Sequence, residues 1–268
     1  MKLSLLTILT LALGSTTFAK SSLDNPAFLR KLANPAAYKV SFGEAESICG
    51  TSDLQHVNEY DGSRGQPVEF ISKYEQAVGA LAYGAPDATS SKYCTGTLIS
   101  ENLFLTASHC VDSTITSEFA VFNYQKQRGS EELAEQEHVK VLEVVEQTLG
   151  GLDYAILRLE GQPGLKYGFT KIRATQVEDG NVLTIIQHPS GRAKMLDVGH
   201  KLTEADSYMR YGDLDTEPGS SGSGVLDQEG FVVGVHTNGG CFPTGGSNAG
   251  VLMTEIAKVS PVVQGLTQ

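Results

Sequence analysis

The chain contains no tryptophan, and aromatic residues make up only 7% of its 268 positions. Basic residues are also scarce: 20 Lys and Arg stand against 31 Asp and Glu, a formal charge of −11. That balance argues against nucleic acid or an anionic membrane as a partner. Beyond the start of the chain there is no apolar run long enough to span a bilayer. The run at the start, Leu3–Gly14, is itself too short for a permanent span. It follows Lys2 and precedes Thr17-Phe18-Ala19, with small residues at the cleavage positions. Residues 1–19 therefore read as a secretory signal, and the mature protein as secreted, extracellular or periplasmic. Cysteine is limited to four residues, an even number that suits export and leaves three full pairings open. None of them shows the close paired spacing of a metal site, so neither metal nor other cofactor is expected.

What is present changes character along the chain. Residues 20–46 lack a strand pattern and carry the near-repeat Asn25-Pro26-Ala27 and Asn34-Pro35-Ala36. Too short to hold a core, this stretch reads as a pro-segment. From Ile48 onward, short apolar or alternating runs are bounded by Gly, Asp, Asn or Ser. They include Ala77–Tyr83, Gly96–Ile99, Leu103–Ala107, Phe119–Phe122, His138–Val145, Tyr154–Leu159, Val182–Gln187, Gly224–Leu226, Phe231–His236 and Gly250–Met253. Runs this short and frequent predict an all-β sandwich or pair of barrels, not βαβ units. Turn formers at Glu160-Gly161-Gln162-Pro163-Gly164 mark the boundary between units at 47–162 and 163–268. Glu131–Glu137 fits either a helical turn or a loop. The tail from Thr254 has helical spacing at Ile256, Val259 and Val263, with Thr254 as its cap and Pro261 interrupting it.

Three stretches carry chemistry. Gly219-Ser220-Ser221-Gly222-Ser223-Gly224 alone has the composition of a flexible loop, yet it also has what a nucleophilic serine needs: a tight turn with backbone N–H groups available for an oxyanion. Leu105-Thr106-Ala107-Ser108-His109-Cys110 supplies a histidine. Gly151-Leu152-Asp153-Tyr154-Ala155-Ile156-Leu157 supplies an aspartate at the start of an apolar strand. Each has an ordinary structural explanation by itself. Together they give the chain order His, Asp, Ser of one known catalytic triad arrangement. Cys94 lies across a predicted hairpin from Cys110, and a bridge between them would brace the backbone that holds His109. His56, His138 and His200 have no motif around them and read as surface residues. His188-Pro189 reads as a turn after a strand.

Tyr93-Cys94-Thr95-Gly96-Thr97-Leu98-Ile99, the Leu-Thr-Ala-Ser-His-Cys run, Asp153-Tyr154-Ala155-Ile156-Leu157 and Gly219-Ser220-Ser221-Gly222-Ser223 resemble the trypsin-like, chymotrypsin-fold serine endopeptidases. The resemblance runs from about Ile48 to the C-terminus and is strongest to the bacterial branch of glutamyl and lysyl endopeptidases. It implies two six-stranded antiparallel β-barrels with the active site in the cleft between them, and a short C-terminal helix. It also implies the roles: Ser221 as nucleophile, His109 as its base, Asp153 orienting the imidazole, and the N–H groups of Gly219 and Ser221 as the oxyanion hole. The strand ending His236-Thr237-Asn238-Gly239 matches the family's substrate-binding strand, with Thr237 and Gly239 pairing with the peptide backbone. A long-range bridge like that of the lysyl endopeptidases falls here on Cys49–Cys241.

Departures from the family are equally informative. Ser220 stands where trypsins carry the aspartate that receives a new amino terminus, so that switch is absent. No carboxylate occurs in Gly245–Val251, the segment expected at the pocket base. Thr216 and His236 match the positions at which glutamyl endopeptidases receive a side-chain carboxylate. Ser47 matches the mature start of those enzymes and follows Glu46, so a glutamyl enzyme would process itself there. The sequence thus predicts a monomeric endopeptidase acting on proteins or peptides. Its rivals are an inactive homologue that binds peptides in the same cleft, and a structural or adhesive β-protein.

Overall fold

The computed structural model describes residues 47–84, 86–148, 151–242 and 244–267. The expected signal and pro-segment lie outside the described residues. After a short strand β1 (Gln55–His56) and helix α1 (Val68–Tyr74), the chain lays down β2 (Val78–Ala82), β3 (Lys92–Leu98), β4 (Leu103–Thr106), β5 (Phe119–Phe122), β6 (Glu137–Gln147) and β7 (Ala155–Leu159). These six close into a barrel in the order β2-β3-β4-β7-β6-β5. Its inside is filled by Leu81, Leu98, Phe104, Phe122, Leu157 and others, with the Phe104 and Phe122 rings edge to face at 5.9 Å. Gly96 makes room for this packing, because a Cβ there would collide with the Phe104 ring and the Leu105 carbonyl.

Helix α2 (Pro163–Tyr167) leads to the second barrel: β8 (Val182–Gln187), β9 (Met195–Ala205), β10 (Tyr208–Tyr211), β11 (Gly224–Asp227), β12 (Val232–Asn238) and β15 (Asn248–Leu252). Pairing of β8 with β9 closes these six strands into a ring. A small hairpin, β13 (Cys241–Phe242) and β14 (Gly245–Gly246), lies between β12 and β15. Every strand pair in both barrels is antiparallel. A second barrel cluster gathers Leu183, Met209, Tyr211 and Val225, and a third joins residues of both barrels, among them Val78, Leu105 and Ile156 with Val198, Val235 and Val251. Strand β1 pairs with β9 of the second barrel, so the described chain begins on the far barrel before building the near one.

The tail forms two helices, α3 (Met253–Val259) and α4 (Pro261–Leu266), broken where Pro261 predicts a break. The expected cap at Thr254 is corrected: Leu252 holds the cap position without a side-chain hydrogen bond. Ser260 caps α4 instead, accepting from the Val263 N–H at 3.0 Å. Its hydroxyl also donates to Glu146 of β6, which ties the tail to the first barrel. The open segment Glu131–Glu137 is a loop that runs into β6 at Glu137, with an isolated bridge from Leu133 to Lys126. Among the described residues no helix is long and apolar enough to cross a membrane.

Candidate active site

The hairpin β3–β4 delivers His109 on a 3-10 turn, Ser108–Cys110, and the Cys94–Cys110 disulfide staples the two ends of that hairpin together. Asp153 sits just before β7, which pairs with β4 and so returns the carboxylate to the same end of the barrel. Its two oxygens are both used by His109. Oδ1 accepts from the His109 backbone N–H at 2.9 Å, and Oδ2 lies 2.6 Å from Nδ1. With an ionised carboxylate as acceptor, Nδ1 carries the proton and Nε2 presents its lone pair to the cleft. Burial pushes the Asp153 pKa up, but the hydrogen bonds and charge of His109 outweigh it and hold the carboxyl below its ordinary range. The site's charge is therefore fixed on Asp153.

The second barrel supplies the serine turn. Gly219 and Gly222 adopt φ +99° and +89°, conformations that favour glycine. A Cβ on Gly222 would strike Thr106, Thr95 and the backbone of Ala107, so the turn is wedged against the first barrel. The Thr95 N–H donates to the Ser221 carbonyl at 2.9 Å, and Gly222 N–H to the His236 carbonyl at 2.8 Å. Cys110 Sγ lies 3.7 Å from the same Ser221 carbonyl. The serine turn is thus packed against Thr95 and against the sulfur of Cys110, the residue after His109. Ser220 points elsewhere: it is buried, and its Oγ accepts from the Glu217 N–H at 3.1 Å.

Cys94, His109 and Cys110 lie close enough together to suggest a metal cluster. The disulfide removes both thiolates, so the group offers one imidazole and no metal site. The other bridge joins Cys49 to Cys241, as the resemblance implies, and pins the start of the described chain to the β13 hairpin.

Beside the serine turn lie the expected specificity residues. Thr216 and His236 are both fully buried, and Thr237 and Gly239 continue past a register shift between His236 and Asn238. Burial pushes the His236 pKa down to about 3, so the imidazole is neutral. Its Nδ1 lies 2.5 Å from the hydroxyl of Tyr211, a partner the sequence does not announce. Asp215 is engaged by the start of the described chain: its oxygens accept the N–H groups of Cys49 and Asp53, each at 2.7 Å. Ser47 lies beside Thr216 and Asn248, its carbonyl accepting from Asn248 Nδ2 at 2.7 Å and from the Thr216 N–H at 3.4 Å.

Of the three histidines assigned to the surface, the assignment of His200 is corrected. His200 is buried and bound to Asp213, Nδ1 to Oδ2 at 2.8 Å, because β9 carries polar residues into the barrel wall. His56 and His138 are half-buried, the latter 3.3 Å from the Ser90 hydroxyl.

A trypsin-like peptidase domain matches residues 94–235, more than half of the chain. Among curated proteins the chain is similar to secreted RxLR effector protein 73 of Plasmopara viticola, 27% identical over 220 residues, covering 74% of this chain and 52% of that protein. It is also similar to the uncharacterized protein y4fB of Sinorhizobium fredii, 28% identical over 230 residues and covering 75% of this chain and 32% of that one. The chain spans about half or less of the length of these relatives. Among solved structures it resembles a Glu endopeptidase in complex with MPD, with TM-score 0.53, 23% identity, and coverage of 76% of this chain and 93% of that one. A serine endoprotease from Yersinia pestis gives TM-score 0.54, 16% identity, and coverage of 73% and 65%. The HtrA-type protease AlgW gives TM-score 0.54, 16% identity, and coverage of 74% and 66%. The solved structures share the two-barrel fold, and the matched domain shows that the chain belongs to the trypsin-like peptidase family.

Proposed function

We propose that the protein is an exported serine endopeptidase that cleaves peptide bonds through an acyl-enzyme. The observation that carries this reading is the double grip of Asp153 on His109, through backbone N–H and Nδ1, at the edge of the Ser221 turn. His109 Nε2 takes the Ser221 proton as Oγ attacks the substrate carbonyl, then returns it to the leaving amine. Asp153 keeps the imidazole in the right tautomer and stabilises the imidazolium. The N–H groups of Gly219 and Ser221 receive the oxyanion, each contributing about 3 kcal/mol in comparable sites. Residues 1–19 are the signal and 20–46 the pro-segment of this reading. The substrates are proteins or peptides, and the enzyme acts as a monomer.

The same reading includes a preference for Glu before the scissile bond. Capture of Asp215 by Cys49 and Asp53 leaves no carboxylate there for a Lys or Arg side chain. Thr216 and His236 instead offer a hydroxyl and a neutral imidazole. With Tyr211 taken as donor to Nδ1, the imidazole proton sits on Nε2, the tautomer that donates to a substrate carboxylate. Labelling by a fluorophosphonate, lost in Ser221→Ala, tests the catalytic claim. A library cleaved mainly after Lys or bulky apolar residues would overturn the specificity claim while leaving the first intact.

A further inference from the structure

We infer that Glu217, Arg192 and Ser190 form a clamp that holds the Pro218–Gly219 peptide with its N–H turned to the oxyanion, taking over the work of the ion pair that Ser220 cannot make. The inference rests on the serine endopeptidase reading. Its basis is peptide geometry. In a trans peptide the N–H and the C=O point opposite ways, so fixing a carbonyl fixes the N–H across the plane from it. Ser221 N–H shares its plane with the Ser220 carbonyl, which accepts from Ser223 N at 3.1 Å and Ser223 Oγ at 2.6 Å. That donor is set within the turn. Gly219 N–H shares its plane with the Pro218 carbonyl, and here the anchor is foreign: the N–H of Ser190, at 2.6 Å, from the β8–β9 loop.

The loop is shaped for this contact and tied down twice. Ser190 holds φ 53° and ψ 31°, a left-handed conformation that a non-glycine residue adopts at a cost. Glu217, the residue before Pro218, binds it: Oε2 accepts from Ser190 Oγ at 2.6 Å and Oε1 from the Arg192 guanidinium at 2.5 Å. Thr95 makes the second tie. Its Oγ1 accepts from the His188 N–H at 3.0 Å and donates to the Gly219 carbonyl at 2.8 Å. A Cβ on Gly219 would lie 2.8 Å from the His188 carbonyl, so loop and turn are in direct contact. Without the clamp, the Pro218–Gly219 plane can rotate, presenting its carbonyl where the N–H is needed. That loss falls on the transition state and spares ground-state binding.

The test uses the mature protein and the variants Arg192→Ala, Glu217→Gln, their double, and Arg192→Lys, with rates normalised to fluorophosphonate-titrated sites. Each single change is expected to lower kcat about tenfold, short of the ~10²–10³-fold for outright loss of an oxyanion donor, with KM held within about twofold. A peptide boronate, which forms the tetrahedral adduct, should weaken by the same factor while a product peptide binds as before. Arg192→Lys should recover most of the rate, and the double variant should be no worse than either single one. Merely structural residues would lower thermal stability without this split. Unchanged kcat in both single variants, or a loss confined to KM, overturns the clamp while the labelled wild type keeps the protease reading. A wild type that neither hydrolyses peptides nor labels at Ser221 overturns both.

Discussion

The two disulfides should separate stability from catalysis. Cys49–Cys241 spans 192 residues of sequence and Cys94–Cys110 spans 16. If a bridge acts mainly by restricting the unfolded chain, loop closure gives about 5 kcal/mol for the longer and about 3 kcal/mol for the shorter at 25 °C. Native geometry survives loss of the long bridge, because the Cys49 and Asp53 N–H groups stay bound to Asp215 and Asn248 still holds Ser47. The short bridge sits differently: Cys110 follows His109, and its sulfur lies 3.7 Å from the Ser221 carbonyl. Paired Ala variants of each bridge, unfolded in urea under non-reducing conditions, should therefore rank oppositely in the two readouts. Removing Cys49–Cys241 should cost more stability and leave kcat per titrated site within about twofold. Removing Cys94–Cys110 should cost less stability and more kcat. Equal losses of stability, or a larger loss from the short bridge, would refute the loop-closure reasoning. A fall in kcat from the long bridge alone would refute the separation of roles.

Asp153→Asn should fold and bind peptide yet lose about 10⁴ in kcat, since an amide favours the wrong imidazole tautomer; a loss under tenfold would contradict its placement. Lys194 is fully buried, and its ammonium reaches the Glu75 carbonyl at 2.7 Å and carboxylate at 2.9 Å. Lys194→Met alone should cost about 3–5 kcal/mol in urea unfolding by stranding Glu75, and Lys194→Met with Glu75→Gln clearly less. His188 and His236 are both pushed down to about 3 by burial. The unfolded chain takes up protons near pH 6.5 that the fold excludes, so stability is lost as pH falls from there, by roughly 2 kcal/mol per histidine at pH 5. Urea midpoints at pH 7.5 and 5 measure this, and His188→Asn should flatten the slope.

The strands that read clearly in the sequence are those whose two faces differ in polarity or are both apolar. Val182–Gln187 matches the observed β8 end to end, and Phe119–Phe122 matches β5. Strands β9 and β10 escape the same reading. Met195–Ala205 mixes Asp197, His200 and Lys201 into its apolar positions, yet the structure buries all three by pairing them with Arg64, Asp213 and Glu204. Buried ion pairs erase alternation, and Arg64 and Asp213 lie 133 and 13 residues from their partners, too far to be matched in advance. For the same reason the runs around Ser221, His109 and Asp153 stand out in the sequence and the loop at Ser190 does not. The proposed triad residues sit in distinctive local runs, whereas the bond from Ser190 to Pro218 is backbone to backbone and leaves no trace in composition. Tyr211 belongs to the same class. Only the alternation of Tyr208, Met209, Arg210 and Tyr211 hints that it faces inward toward His236.

Removal of the proposed pro-segment should then act on substrate binding and not on the proposed oxyanion hole. In a trypsin the new amino terminus completes the serine turn from inside. Here Ser220 has no carboxylate to receive it, and its hydroxyl is already engaged by Glu217 N–H. Ser47 approaches from outside, its hydroxyl accepting from Gly240 N–H at 3.2 Å and its carbonyl from Thr216 and Asn248. An ammonium at Ser47 would add a positive charge at the pocket edge, worth about 1 kcal/mol to a bound carboxylate in a partly solvated setting. A precursor that cannot process itself, carrying Glu46→Ala, should therefore keep kcat and show KM for Glu-containing peptides raised by about fivefold. Cleavage of the same precursor by an added protease should restore KM. A precursor whose kcat is low while KM is normal would mean that the pro-segment controls the serine turn after all, against the bonds seen around Ser220.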